Sequence, residues 1–230
     1  MKHLLLASAF AALGLCAAEI NPVLKVDFTT GKAVVSGSVK AACQIKGGVK
    51  FSKEPDAGII LDGKNGCVEL PGTENISILN GATLYAVVRF DDNGTKNGEA
   101  DAHDMVIFKD KEFLLGRSSR FLYFGNIKKD GMIVMYPTLI LKKWTTIAAV
   151  ITKLPDGQYT VAIYNKGRVI STKTFPASAA VPAGKAMITL GRGWGGCWHM
   201  RGGIAEIQIF DKPLTPAQLR ELDNEAENID

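Results

Sequence analysis

Apart from one short capped segment near the C-terminus, no part of this 230-residue chain places apolar residues at helical spacing over the length a core helix needs. It offers instead a succession of short apolar runs closed by turn residues. Pro22 to Phe28, Ala57 to Leu61, Cys67 to Leu70, Thr83 to Phe90 and the series from Met105 to Lys109, Glu112 to Arg117 and Phe121 to Gly125 read as strands. Met132 to Tyr136, Trp144 to Thr152, Tyr159 to Tyr164, Val169 to Phe175 and Met187 to Leu190 continue the pattern. Asp62 to Gly66 joins two of these runs with residues that tolerate positive φ, and Asp156-Gly157 and Asn165-Lys166-Gly167 mark two successive hairpins. From Val34 to Phe51 the signal is weak, either short strands or extended loop, and the polar insert from Asp91 to Asp104 reads as a surface loop. Many short strands with Gly-rich turns predict a two-layer antiparallel β-sandwich.

The segment from Met187 to Ala226 is the most informative. Ile204, Ile207 and Ile209 approximate the period of two, with Glu206 and Gln208 between, as in a half-buried strand. After the turn from Asp211 to Pro213, Thr215 and Gln218 form a capping box and Pro216 occupies the first helical position. Before the strand, Gly191 to Gly203 is a Gly-rich loop carrying Arg192, Trp194, Trp198, His199 and Arg201. Gly191, Gly193 and Gly196 spell Gly-x-Gly-x-x-Gly, but a dinucleotide loop opens a helix, and a strand follows here.

Met1 to Ala18 has the pattern of a secretory signal peptide: Lys2 and His3, an apolar run from Leu4 to Leu15, then Cys16-Ala17-Ala18. The competing lipoprotein reading, with Cys16 acylated, places Leu15 where a small residue belongs. The apolar run is too short to span a bilayer, and no longer one follows. The remaining chain, from Glu19 to Asp230, has no composition break and reads as one domain. The formal charge is +4, or +3 without Lys2, and the basic residues are scattered among acids, which argues against nucleic acid as a partner. Cys43, Cys67 and Cys197 remain in the exported chain. A Cys43–Cys67 disulfide leaving Cys197 free is the simplest arithmetic, and three small buried apolar groups is the alternative. Their spacing does not suit zinc.

Three stretches carry a family resemblance. GGIAEIQIFDKPLTPAQLREL, from Gly203, resembles the closing segment of laminin G-like domains of the concanavalin A-like lectin and glucanase superfamily. ILDGKNGCVELPG from Ile60, with TLYAVVRF from Thr83, resembles an earlier part of the same pattern, and LKKWTTIAAVITK from Leu141 a later strand. The resemblance implies an antiparallel jelly-roll sandwich with a short C-terminal helix. Calcium is common in such relatives, so Asp27, Asp62 and Asp211, at strand ends, become conceivable oxygen ligands, although no contiguous calcium loop exists and Ala205 stands where many relatives have Asp. The expectation is no cofactor, with calcium held open.

Laminarinase-like relatives draw their two carboxylates from one strand, and no Glu-x-Asp-x-x-Glu string occurs; Glu206 reads as a solvated or structurally paired acid. Asp101, His103 and Asp104 read as soluble loop. A sugar surface needs an aromatic face and planar polar groups. Trp194, Trp198, His199, Arg192 and Arg201 supply that mix in one loop, with the alternative that a tryptophan plugs the sandwich edge. Arg117 and Tyr123, near Arg120, form a second candidate suited to an acidic ligand. The expected function is that of an exported, non-catalytic, lectin-like carbohydrate-binding module, secreted to the extracellular or periplasmic space by a bacterium. The rivals are an extracellular protein-interaction module and a glycoside hydrolase with dispersed carboxylates. Asn75 and Asn93 are sequons that matter only in a eukaryotic secretory route.

Overall fold

The computed structural model describes residues 20–54, 58–91, 103–126, 128, 130–137 and 141–226. The signal-peptide pattern, Asn93 and most of the polar insert lie outside the described residues. In chain order the strands are β1 (Leu24–Asp27), β2 (Val34–Ser36), β3 (Gln44–Lys46), β4 (Lys50–Phe51), β5 (Ile59–Asp62), β6 (Cys67–Leu70), β7 (Ala82–Phe90) and β8 (His103–Lys109). There follow β9 (Phe113–Ser118), β10 (Phe121–Gly125), β11 (Ile133–Pro137), β12 (Trp144–Lys153), β13 (Tyr159–Asn165), β14 (Arg168–Phe175), β15 (Ile188–Leu190), β16 (Arg201–Phe210) and the helix α1 (Pro216–Ala226).

These strands form two antiparallel sheets, one layer on the other. The first runs β14-β13-β12-β7-β16-β1-β2, with β5 and β4 continuing beside the other half of β16; the second runs β11-β10-β9-β8-β15-β6-β3. The core between them is drawn from alternate residues: Leu84, Ala86 and Val88 of β7 and Ile204, Ile207 and Ile209 of β16 face Ile107, Leu115, Phe124 and Leu190 of the second sheet. The imperfect alternation in β16 has a structural cause. The register shifts between Ile204 and Glu206, a bulge at Ala205 that restores the isoleucines to one face.

Two of the connections that cross between the sheets follow β5 and β11. The runs flanking Asp62–Gly66 do not pair: β5 lies in the first sheet and β6 in the second, so that turn carries the chain across the sandwich. The series β8 to β11 is a meander, but β12 leaves it for the first sheet. Both hairpins are present, β12–β13 and β13–β14.

The outer face of the first sheet is apolar because α1 covers it. Tyr85, Val87, Ala148, Val150 and Ala205 pack with Leu214, Leu219 and Leu222. Tyr85 donates its hydroxyl to the Leu222 carbonyl at 3.2 Å, and burial together with the nearby Asp223 carboxylate pushes the phenol well above its ordinary range. The capping box forms: Thr215 Oγ1 accepts from Gln218 N at 3.3 Å, and Thr215 N donates to Gln218 Oε1 at 2.9 Å.

Gly58, with φ +71°, sits against the Ala205 bulge, and a Cβ there would lie 2.2 Å from the Ile204 carbonyl oxygen. Gly58→Ala therefore combines a left-handed backbone with a clash against backbone atoms. It is expected to cost about 2 kcal/mol or more, read as a lowered urea midpoint at unchanged slope.

Candidate functional site

The Gly/Trp loop links β15 of one sheet to β16 of the other, and it is tied to β8. Gly191 N donates to Val106 O at 3.2 Å, Met105 N to Trp198 O at 3.4 Å and Met200 N to Gly191 O at 2.9 Å. The two tryptophans have different fates. Trp198, at φ +56°, is half-buried against Met105, Phe108 and Leu114 on the outer face of the second sheet, with its ring centroid 4.5 Å from that of His103. Gly193 leaves room for that ring, since a Cβ there would meet Trp198 Cε3 at 2.7 Å. Trp198 is a plug. Trp194 stands in a single 3-10 turn, Trp194–Gly196, and is 56% exposed.

The remaining residues named from sequence are dispersed. Arg192 Nη2 pairs with Glu69 Oε1 at 3.0 Å, and Lys46 approaches the same carboxylate at 3.6 Å. His199 Nε2 lies 2.8 Å from the Gly196 carbonyl oxygen and so braces the loop from within. Arg201 is exposed at the start of β16, beside Gly63 and opposite Asp62. Arg117 is withdrawn as a ligand contact. It is 3% exposed, ion-paired with the buried Asp104, and its guanidinium lies 4.8 Å from the Phe90 ring centroid, so it closes the sandwich end rather than presenting a surface. Asp104 is therefore buried too, and His103 and Asp104 open β8 instead of lying in a soluble loop. Tyr123 is half-buried on the outer face of the second sheet, against the same cluster as Trp198, and its ring lies along the strand over Gly125, where a Cβ would come within 2.7 Å of the hydroxyl. Burial raises the Tyr123 phenol above its ordinary value. Arg120 stacks on Phe121 at 5.5 Å.

The three candidate cation ligands do not converge. Asp62 lies opposite Arg201, Asp27 opposite Glu206, and Asp211 follows Phe210, so they are spaced along β16 at five-residue steps of about 17 Å. Among the described residues no group of three or more His, Cys, Asp or Glu could hold a metal ion. Asp62 caps its own turn instead. Burial alone would raise its carboxyl, but the N–H groups of Lys64, Gly66 and Asn65, at 2.9, 3.1 and 3.2 Å, with His199 nearby, outweigh that and hold it below its ordinary value. Glu206 is structurally paired, with Lys25 Nζ at 2.6 Å.

The Cys43–Cys67 disulfide does not form. Lys46 lies opposite Cys67 and Gln44 opposite Glu69, which sets Cys43 three residues further along, about 10 Å away and beyond disulfide reach. Cys43 is half-buried, Cys67 buried and Cys197 exposed, all as thiols; burial raises the first two.

One cavity involves the loop. Trp194 forms a groove of about 410 Å³ with Asp110 and Lys111 of the β8–β9 turn, Lys128 of the β10–β11 turn, and Val181 and Pro182 ahead of β15. Sequence reasoning named only Trp194 of these six. The others sit in turns and a Pro-containing connection whose composition has no signal beyond solvent exposure. Chemically the groove combines an aromatic wall, an apolar patch and charged donors and acceptors, the mix a ligand with one apolar face and a polar rim requires.

Two antiparallel sheets packed as a sandwich, closed by a short C-terminal helix, define the fold class. The laminin G type model of the concanavalin A-like lectin and glucanase superfamily matches residues 62–220, and the chain belongs to that family. No curated protein matches the chain. Among solved structures it is similar to the receptor-binding domain of botulinum neurotoxin type G, at 13% identity and TM-score 0.70, over 90% of this chain and 52% of that one. It is likewise similar to a botulinum neurotoxin type C structure concerned with entry through two ganglioside molecules, at 16% identity and TM-score 0.70, over 89% and 51% of the two chains. A third is the type DC binding domain in complex with rat synaptotagmin II, at 16% identity and TM-score 0.69, over 89% and 51%. The chain spans about half the length of these structures, and at these identities the likeness is one of fold.

Removing one partner of the buried Asp104–Arg117 pair leaves an uncompensated charge, so Arg117→Ala is expected to cost about 3–5 kcal/mol, whereas Arg192→Ala, at a partly exposed pair, costs under about 1 kcal/mol. Parallel urea melts distinguish the two. The depressed Asp62 carboxyl contributes stability that is present above its unfolded value and lost as pH falls through the folded one. Asp62→Asn should therefore flatten the stability curve below about pH 4.

Proposed function

We propose that this protein is an exported, non-catalytic carbohydrate-binding module. The observation that carries the reading is Trp194: a large aromatic ring, more than half exposed, on the wall of a groove whose other sides hold Asp110, Lys111 and Lys128. An exposed indole otherwise incurs hydration cost, and stacking against the C–H face of a pyranose relieves it. The non-catalytic part is supported by how the acids are used. Glu206, Asp104, Glu112 and Glu69 are each engaged by a basic side chain, which favours ground-state structure over proton transfer. Export rests on the pattern of Met1 to Ala18. The solved neighbours named with gangliosides and with synaptotagmin II agree with a binding role of some kind.

A second reading is favoured by one feature. The edge strand β11 exposes Ile133, Met135 and Tyr136 at 38%, 41% and 42%, without a charge among them, which suits a protein partner added along the edge.

A broad glycan array, run in calcium and again in chelator, is the test. Binding to one sugar class is expected in both lanes, because the candidate aspartates do not share a site. Trp194→Ala should weaken it by about 2 kcal/mol, some thirtyfold, with the melting temperature unchanged. A blank array from folded protein transfers the weight to the β11 edge, where Met135→Lys should abolish partner capture.

A further inference from the structure

The β8–β9 turn gives the Trp194 groove a polar pole. Glu112 N donates to Lys109 O at 3.0 Å, and Lys111 takes φ +62°, so the four residues from Lys109 form a tight turn. Its first and last members point inward. Lys109 Nζ, fully buried, donates to the carbonyls of Glu74 at 2.8 Å and Ile76 at 2.5 Å and pairs with Glu112 Oε2 at 2.7 Å. Glu112 Oε2 also accepts from Gly184 N at 3.2 Å, which fastens the turn to the connection bearing Val181 and Pro182. With Lys109 and Glu112 so committed, Asp110 and Lys111 are the members that line the groove.

The groove's charges are not equivalent. Lys128 Nζ is taken by the carbonyls of Ser178 at 2.5 Å and Ala180 at 3.2 Å, so it offers the ligand mainly its stem. Lys111 is exposed. Asp110 is half-buried, and its Oδ1 is buried with no hydrogen-bond partner among the described residues. A desolvated carboxylate oxygen without a donor is costly, and the broad terminal torsion of Asp lets either oxygen turn to a donor that arrives. In the free protein Asp110 Oδ1 has no such donor among the described residues.

We propose that Asp110 anchors an uncharged pyranose in this groove: two neighbouring hydroxyls donate to its carboxylate while the C–H face of the ring lies on Trp194. Lys111 Nζ donates to a hydroxyl oxygen at the rim. A ligand carboxylate in place of the hydroxyls that meet Asp110 would be repelled by it, which selects neutral over acidic sugars at that pole. The inference rests on the carbohydrate reading above and adds the sugar class and the residue that selects it.

The test is titration calorimetry of the purified protein with the methyl glycosides of glucose, galactose, mannose and N-acetylglucosamine, beside glucuronate and N-acetylneuraminate, on wild type, Asp110→Ala and Asp110→Asn. Binding of at least one neutral glycoside is expected, weakened at least tenfold by Asp110→Ala and less by Asp110→Asn, which keeps one acceptor. The melting temperature should hold or rise in both variants, because Asp110→Ala removes the unpartnered buried oxygen and Asp110→Asn removes the charge on it. Neutral binding that Asp110→Ala leaves unchanged, tighter binding of the acidic sugars, or a melting temperature lowered by several degrees in both variants would each overturn the assignment to Asp110 while leaving the carbohydrate reading in place. Absence of binding by every sugar in folded wild type would overturn the carbohydrate reading itself, and this inference with it.

Discussion

The structure depends on how one strand is shared. β16 pairs along one side with β7 and along the other with two different strands, β5 beside Arg201 to Ile204 and β1 beside Glu206 to Ile209. The bulge at Ala205 marks the handover, and the Ala205 carbonyl accepts from Phe28 N at 2.9 Å as β1 ends. Its close approaches need missing side chains. A Cβ on Gly202 would lie 1.9 Å from Arg89 O, and one on Gly203 would meet the Trp144 ring at 2.5 Å. Because β16 is fixed on both sides, the loop before it and the helix after it leave from defined points: the first crosses to the second sheet, and the second folds back over Tyr85 and Val87.

Much of this was legible in the sequence, and the reasons are local. The strands of β7, β12, β13 and β16 are long enough for alternation to show, and Asp156-Gly157 and Asn165-Lys166-Gly167 specify hairpins through backbone chemistry alone. The capping box around Thr215 is equally local. Sheet membership was not legible. The turn from Asp62 to Gly66 has hairpin composition but serves as a crossover, with Asp62 accepting three N–H groups within it. Nothing in five residues reveals which layer the next strand joins; the pairing partners of β6, which are β15 and β3, lie far off in sequence.

The site was legible only in part, for a related reason. Trp194 stood out as an aromatic in a Gly-rich loop, and it lies in an exposed turn: Gly195 and Gly196 have nothing within 4 Å of a would-be Cβ, so the turn projects into open space. Trp198, four residues on, has the same composition around it yet packs inward, because its carbonyl is held by Met105 N and its ring by His103. Arg117 shows the converse error. Beside Arg120 and Tyr123 it reads as a candidate for an acidic ligand, but strand parity sends Arg117 inward to Asp104, while Arg120 lies exposed in the turn that follows. Asp110, Lys111, Lys128, Val181 and Pro182 come from three separate connections and meet only in the folded chain.

Two buried ion pairs among the described residues explain why those connections meet in a fixed arrangement. Asp104–Arg117 sits at one end of β8 and Lys109–Glu112 at the other, each tying β8 to β9 or to the turn between them. Replacing such pairs by apolar groups would often be neutral or stabilising, so their value does not lie in net stability. Their value is geometric. Lys109 holds the backbone of Glu74 and Ile76 and, through Glu112, that of Gly184, so one ammonium gathers segments from three parts of the chain around the groove. At the opposite end Asp104 Oδ1 accepts from Arg201 N at 3.0 Å, joining the second sheet to β16, from which the Trp194 loop is hung. A groove whose walls are set before a ligand arrives loses less entropy on binding. In a fold whose binding residues are scattered over loops, charges buried at both ends of one strand supply the rigidity that the loops themselves lack.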